Sequence, residues 1–152
     1  MSPEQRQAAR RLKSDGAVYL IYTSGSSGMP KGVIGTHHGI MNRFEWMAES
    51  FPFSANDVGC IKTSTSFVDS IWECFGPLVA GVPSVILPQT EVTDPKRLLQ
   101  ALRDFNVTRI VVVPSLLDVM ISNLEQTSQH LPALRYCTSS GEALPMLSLI
   151  HI

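Results

Sequence analysis

Three features of the sequence predict an α/β fold with a mostly parallel sheet flanked by helices. Short β-branched apolar runs alternate with stretches of helical periodicity. The periodic stretches run to about ten residues or more, long enough to cross back over a sheet. The composition is that of a folded domain. Of 152 residues, 44% are hydrophobic and 16% charged, which is too apolar for a disordered chain.

The elements follow in order. The first fifteen residues, polar and Arg-rich, read as a short helix or a tail, with 1–14 set apart as tail or linker. Ala17 to Thr23, AVYLIYT, has the composition and length of a buried strand. Ser24 to Gly32 is small, polar and rich in turn residues, so it reads as a loop. From His37 to Ser50, Ile40, Met41, Phe44 and Met47 recur at helical spacing. Asp57 to Thr63 reads as a short strand. Phe67 to Val79 is a helix with a wide apolar face that ends near Gly81. Val82 to Leu87 is a strand closed by Pro88. Asp94 caps a helix whose first residue is Pro95, with Leu98, Leu99, Leu102 and Phe105 as its buried stripe. Arg109 to Val113 is a strand, Pro114 opens a helix through Leu124, and Leu134 to Thr138 is a last strand.

Several function classes are excluded. Twelve Lys and Arg oppose 13 Asp and Glu, so no basic nucleic-acid footprint dominates. Three cysteines without paired spacing make neither a disulfide framework nor a zinc site. His37 and His38 do not make a metal pair, because adjacent side chains on a helix point apart. The stretch from Val107 to Ile121 is interrupted by Arg109, Pro114 and Asp118 and falls short of the ~20 residues of a membrane span. A cytoplasmic protein with no membrane partner and no metal cluster is expected.

The segment Thr23 to Gly32, TSGSSGMPKG, carries the chemistry. Glycines let the backbone approach a ligand closely. Successive N–H groups can form an anion nest. Thr23, Ser24, Ser26 and Ser27 offer hydroxyls, and Lys31 a mobile positive charge. The donor set fits a polyphosphate. Two standard phosphate motifs fail: Pro30 stands where a P-loop needs its second glycine, and Ser27 stands where a dinucleotide fingerprint needs one.

The string AVYLIYTSGSSGMPKGVIGTHHGIMN resembles the signature of the adenylate-forming superfamily, which includes acyl-CoA synthetases, luciferases and peptide-synthetase adenylation domains. Tyr22, Thr23, Ser24, Gly25, Ser26, Ser27, Gly28, Pro30, Lys31, Gly32 and His37 match it. The likeness continues through STSFVDSIWECFGPLVAGVPSVILP, VTRIVVVPSLL and LRYCTSSGEALP, covering roughly residues 15–145. It implies a two-step ligase. A carboxylate attacks the α-phosphorus of ATP with Mg²⁺ present, and the acyl group of the adenylate passes to a thiol, of CoA or of a carrier protein's phosphopantetheine. On that likeness the phosphate loop is Thr23, Ser24, Gly25, Ser26, Ser27, Gly28 and Lys31, with Lys31 as catalytic cation. The family's adenylation lysine is expected in a small C-terminal domain beyond this chain. His37, Gly141 and Glu142 lie near nucleotide and substrate. Glu142 has a second reading as a surface charge after a strand. Ser140 stands where the family usually has a second glycine.

The segment FVDSIWE resembles the family's amino-acid-activating FD-x-S-x-WE. The usual pocket acid is replaced by Val68, and the carboxylate sits one residue on, at Asp69. One residue turns a helical side chain by about 100°. With Trp72, Val111, Cys137 and Ser139 the set resembles β-alanine-activating pockets. Asp69 has a second reading as a helix N-terminal carboxylate, and Trp72 as core. The expectation is an incomplete adenylation domain over 15–145, inactive alone, with 146–152 as an atypical tail. The alternatives are a piece of an acyl-CoA synthetase for a non-amino acid and a truncated, non-catalytic relative.

Overall fold

The computed structural model of the protein describes residue 2, residues 13–25 and residues 28–143. Most of the expected N-terminal tail, Ser26 and Ser27 of the loop, and the expected atypical tail 146–152 lie outside the described residues. The chain divides into two compact units, Met1–Pro52 and Phe53–Ile152.

In the first unit β1 (Ala17–Thr23) runs antiparallel to β2 (Lys31–Thr36), with Thr23 opposite Lys31 and Tyr22 opposite Gly32. β1 has the expected bounds, but it is not the buried strand expected: its residues are exposed or half-buried. The reading of Ser24 to Gly32 as one loop is corrected, because its last two residues already belong to β2. The physical reason is that Gly32 and Gly35 interrupt the β-branched residues Val33, Ile34 and Thr36, so the strand signal is weak on its own. The strand character of β2 comes from the ladder that β1 supplies, not from propensity. Helix α1 (His37–Ser50) follows at once, capped by Thr36, whose hydroxyl accepts from the Gly39 N–H at 3.3 Å. Phe44 and Met47 are its buried residues.

In the second unit β3 (Gly59–Ile61) pairs parallel with β4 (Ser84–Ile86), and β5 (Arg109–Val112) pairs parallel with β6 (Tyr136–Ser139). The Thr108 N–H donates to the Val58 carbonyl at 3.0 Å, and the Val58 N–H donates to the Thr108 hydroxyl at 3.0 Å. These bonds join the chain just before β3 to the chain just before β5. Helices α2 (Asp69–Ala80), α3 (Gln89–Val92), α4 (Pro95–Asp104) and α5 (Pro114–Thr127) lie between the strands in sequence. The α/β class with parallel pairing therefore holds here. The antiparallel β1–β2 ribbon and the single turn of α3 are the elements absent from the sequence reading.

Local signals explain the helix ends. Asp94 accepts from the N–H groups of Lys96 (3.0 Å) and Arg97 (3.3 Å), and Pro95 opens α4. α2 stops at Gly81, whose φ of 71° lies in the left-handed region. The core gathers Leu98, Leu99 and Leu102 of α4, Ile110 and Val112 of β5, Leu117 and Met120 of α5, and Val107. Each fully buried Leu or Ile contributes about 1.5–3 kcal/mol by removal from water. No described helix is long and apolar enough to cross a membrane.

A buried ion cluster ties β3 to β5. Asp57 is buried and accepts from Arg109 Nε at 2.9 Å, Arg135 Nη1 at 3.0 Å and the Ser54 N–H at 2.9 Å. The Arg109 guanidinium carbon lies 4.2 Å from both the Phe53 and the Tyr136 ring centres. Burial works to raise the pKa of Asp57. The Ser54 N–H, the hydrogen bonds from Arg109 and Thr108 and the Arg109 charge outweigh it and hold that pKa below the ordinary value.

Candidate functional site

The loop of the first unit is closed at its neck. Thr23 Oγ1 donates to the Lys31 carbonyl at 3.4 Å, and the Gly28 N–H donates to the Gly25 carbonyl at 2.9 Å. A side chain at Gly25 would place its Cβ 2.1 Å from the Met29 carbonyl oxygen, so only glycine allows this turn. The same position lies 3.4 Å from Lys31 Cγ, so the lysine stem runs along the loop while the residue stays exposed. Ser24 is exposed. His37 opens α1, and its N–H donates to the Gly16 carbonyl at 3.0 Å. Thr23 thus holds the neck, and Ser24, the backbone N–H groups and Lys31 are the described groups that present donors.

The second unit contains a cleft of about 510 Å³. One wall is Lys62 to Ser64 with Phe67 and Asp69, and a second is Gln89 with Val92. Val111 to Val113 and Ser140 to Glu142 complete it. Of the residues singled out in the sequence, the cleft brings together Asp69, Val111, Gly141 and Glu142. Asp69 is half-buried at the start of α2, and the Ser140 hydroxyl donates to its Oδ2. Glu142 accepts from the Ser115 N–H and hydroxyl, each at 3.3 Å. That puts its carboxylate at the N-terminus of α5, where negative charge is favoured.

Other expected pocket residues stand elsewhere. Val68 is the N-cap of α2 and is exposed. Trp72 is 7% exposed, with its ring centre 5.7 Å from that of Phe53, which is a packing position. Cys137 is exposed on β6. Ser139 Oγ is buried without a hydrogen-bond partner among the described residues. None of these four lines the cleft.

The sequence reading missed the residue that holds the cleft wall. Glu73 of α2 is 3% exposed. It accepts from the N–H groups of Lys62 (2.9 Å) and Thr63 (2.7 Å) and from Thr63 Oγ1 (2.8 Å), with Lys62 Nζ at 3.7 Å. One carboxylate thereby pins residues 62–63 to the helix that starts with Asp69. A signal was present: an acid next to Trp72, within a predicted apolar helix, must find donors if it is buried. Glu73 and burial also act on Cys60. Burial first, then the Glu73 charge, push its thiol up to about 12, with Lys62 opposing.

Comparison with known proteins places these features in context. The model of the family described as AMP-binding enzyme matches residues 2–148. Vanchrobactin synthetase VabF of Vibrio anguillarum is 40% identical over 151 residues, 93% of this chain and 5% of its own length. The beta-alanyl-bioamine nonribosomal peptide synthetase ebony of Drosophila melanogaster is 41% identical over 113 residues, 74% of this chain and 13% of its own length. The AMPPNP-bound crystal structure of the nonribosomal peptide synthetase FmoA3 superimposes with a TM-score of 0.79 at 29% identity, covering 91% of this chain and 14% of that one. The chain therefore spans a small part of the relatives it matches.

Proposed function

The chain belongs to the AMP-binding enzyme family, and we propose on that premise that residues 15–145 form part of an adenylation domain for a β-amino acid, β-alanine. A carboxylate oxygen of the substrate attacks the α-phosphorus of ATP. The bond to the bridging oxygen breaks, and pyrophosphate leaves with the electron pair. A thiol of a carrier protein's phosphopantetheine, or of CoA, then attacks the acyl carbon and AMP departs.

Charge grows on pyrophosphate in the first step. The loop Thr23, Ser24, Gly25, Ser26, Ser27 and Gly28 and the catalytic cation Lys31 offer N–H groups, hydroxyls and an ammonium to that charge. Between Thr23 and Gly32 there is no carboxylate, so the donor set suits phosphate oxygens, and Mg²⁺ would be held through the nucleotide. When bound, Mg²⁺ neutralises part of the phosphate charge. His37 borders the nucleotide. Gly141 and Glu142 run beside adenine and substrate, and the bonds from Ser115 to Glu142 hold that segment on α5.

The single observation that carries the substrate reading is the placement of Asp69. It lines a cleft whose β5 wall is Val111 to Val113, while the preceding residue, Val68, points no acid into that cleft. A carboxylate beside an apolar wall is a receptor for an ammonium. A β-amino acid carries its nitrogen one carbon further from the carboxylate than an α-amino acid does. The name of the ebony relative, beta-alanyl-bioamine synthetase, points the same way.

The test is substrate-dependent pyrophosphate exchange by the full-length protein with β-alanine, α-alanine, propionate and a fatty acid. β-Alanine should be activated best, and Asp69→Asn should lower its kcat/KM about a hundredfold. Better activation of α-alanine or a fatty acid would overturn the reading.

A further inference from the structure

We propose that the groove between α4 and the end of α5 is a binding site for a small phosphate-type oxyanion, held by Arg103 and Lys96. It shares no residue with the cleft or with the Gly/Ser loop. It goes beyond the reading of the chain as part of an adenylation domain and does not depend on it.

The groove has a volume of about 220 Å³. Lys96, Gln100 and Arg103 line it from one face of α4, at the three- and four-residue spacing that brings side chains together along a helix. Asn123 and Thr127 of α5, with Gln129 just beyond it, form the facing wall. None of the lining residues is acidic and two are cations, so the local field favours an anion.

Arg103 is oriented by its own helix. Its Nη2 donates to Gln100 Oε1 at 3.1 Å, and Gln100 Nε2 donates to Asp104 Oδ1 at 2.6 Å. This chain fixes the guanidinium and keeps the nearest carboxylate on Gln100. Arg103 Nη1 is buried and has no hydrogen-bond partner among the described residues. A guanidinium cannot shed its charge, so a buried donor left unpaired on it is costly. The second cavity that Arg103 borders, of about 130 Å³, has Leu102, Val107, Leu131 and Leu134 in its wall and brings no acceptor to Nη1. An oxygen of an anion in the groove would supply one.

On α5 the donors are already spent. Asn123 Nδ2 donates to the Val119 carbonyl at 2.9 Å, and Thr127 Oγ1 to the Asn123 carbonyl at 2.7 Å. The groups left to a ligand are the guanidinium, the exposed Lys96 ammonium and the Gln129 amide. Three donors from separate positions suit the several acceptor oxygens of a tetrahedral phosphate better than the planar pair of a carboxylate. A volume below the roughly 300–1,000 Å³ of cofactor pockets keeps the site to a small ion.

Calorimetric titration of the full-length protein with inorganic phosphate tests this, with the nucleotide site saturated by a non-hydrolysable ATP analogue. Arg103→Gln should weaken phosphate binding about tenfold, the loss of a charge-assisted hydrogen bond. Lys96→Gln should weaken it about threefold, since that ammonium is exposed. Lys96→Glu puts an acid in the first turn of α4, where the helix tolerates it, and should abolish measurable binding without unfolding the protein. Phosphate should also raise the urea unfolding midpoint of the parent and not that of Lys96→Glu. Should Arg103→Gln fail to fold, Lys96→Glu decides. A parent that binds no phosphate under these conditions, or variants that bind it as the parent does, overturns the proposal. Citrate binding more tightly than phosphate overturns the choice of a phosphate-type anion.

Discussion

Between Thr23 and Lys31 the candidate phosphate loop takes every group it offers from one continuous stretch, closed by two local hydrogen bonds. The cleft of the second unit instead draws its walls from residues 62–69, 89–92, 111–113 and 140–142. Its parts stay in place because buried polar groups bind one segment to the next: Glu73 to 62–63, Asp57 to Arg109 and Arg135, Ser140 to Asp69. A loop whose ligands are mainly backbone donors needs only its turn geometry. A cleft that must hold a carboxylate against an apolar wall needs a scaffold, and changes to the scaffold should be felt as stability, whereas changes to the loop should be felt as chemistry.

The largest effect should come from removing that scaffold. Glu73→Ala leaves Lys62 and the 62–63 N–H groups buried without their acceptor, and is expected to cost about 3–5 kcal/mol, read from urea unfolding. An unchanged unfolding midpoint would show that residues 62–63 are held by something else. The complementary change is Lys31→Ala, at an exposed position. In the full-length protein it should reduce kcat for pyrophosphate exchange about a hundredfold, near 2–4 kcal/mol of transition-state stabilisation. KM for the acid and the unfolding midpoint should stay put. If Lys31→Ala instead destabilised the protein and spared kcat, loop and cleft would not differ as described.

Acid sensitivity offers a finer comparison. The folded pKa of Asp57 lies below the ordinary value of 3.8, so the folded state holds its proton less readily than the unfolded chain. Its contribution is complete above that value and is lost as pH falls below it through the folded pKa. Denaturant midpoints should therefore stay level from neutral pH and drop in that acid range, and Asp57→Asn should flatten the drop. An equal drop in Asp57→Asn would assign it to other carboxylates. The smallest effect is on thiol labelling. Burial pushes both thiols up, that of Cys60 to about 12, but the Cys60 residue is buried whereas Cys137 is exposed. Iodoacetamide at mildly alkaline pH should label Cys137 in the native protein and reach Cys60 only on unfolding. Native labelling of Cys60 would mean that the β3 end of the cleft opens.

Much of the fold was legible from residue order. The bounds of β1 and α1, the Asp94–Pro95 start of α4, the Pro114 start of α5 and the Gly81 stop of α2 follow from caps, breakers and periodicity, which act within a few residues. β2 was not legible, since two glycines in six residues leave a weak strand signal until a partner strand supplies the ladder. Nor was α3, a single turn of Gln89–Val92 with no period to detect. In the site, the loop string was legible for the same reason that α4 was: its groups are neighbours in sequence.

Sequence alone determined the alternation of strands and helices in the second unit, the Gly/Ser loop after β1 and the displaced acid at Asp69. All of these are encoded in the order of adjacent residues. Only the tertiary structure decided which of the candidate pocket residues share a cleft. Asp69, Val111, Gly141 and Glu142 meet there, whereas Trp72 packs on Phe53 and Cys137 faces outward. It also decided that Glu73 takes its donors from residues 62–63 and Asp69 from Ser140. The physical reason is that a buried or half-buried carboxylate takes whichever donors the packed chain delivers. Donors 10 or 71 residues away leave no mark in the local pattern.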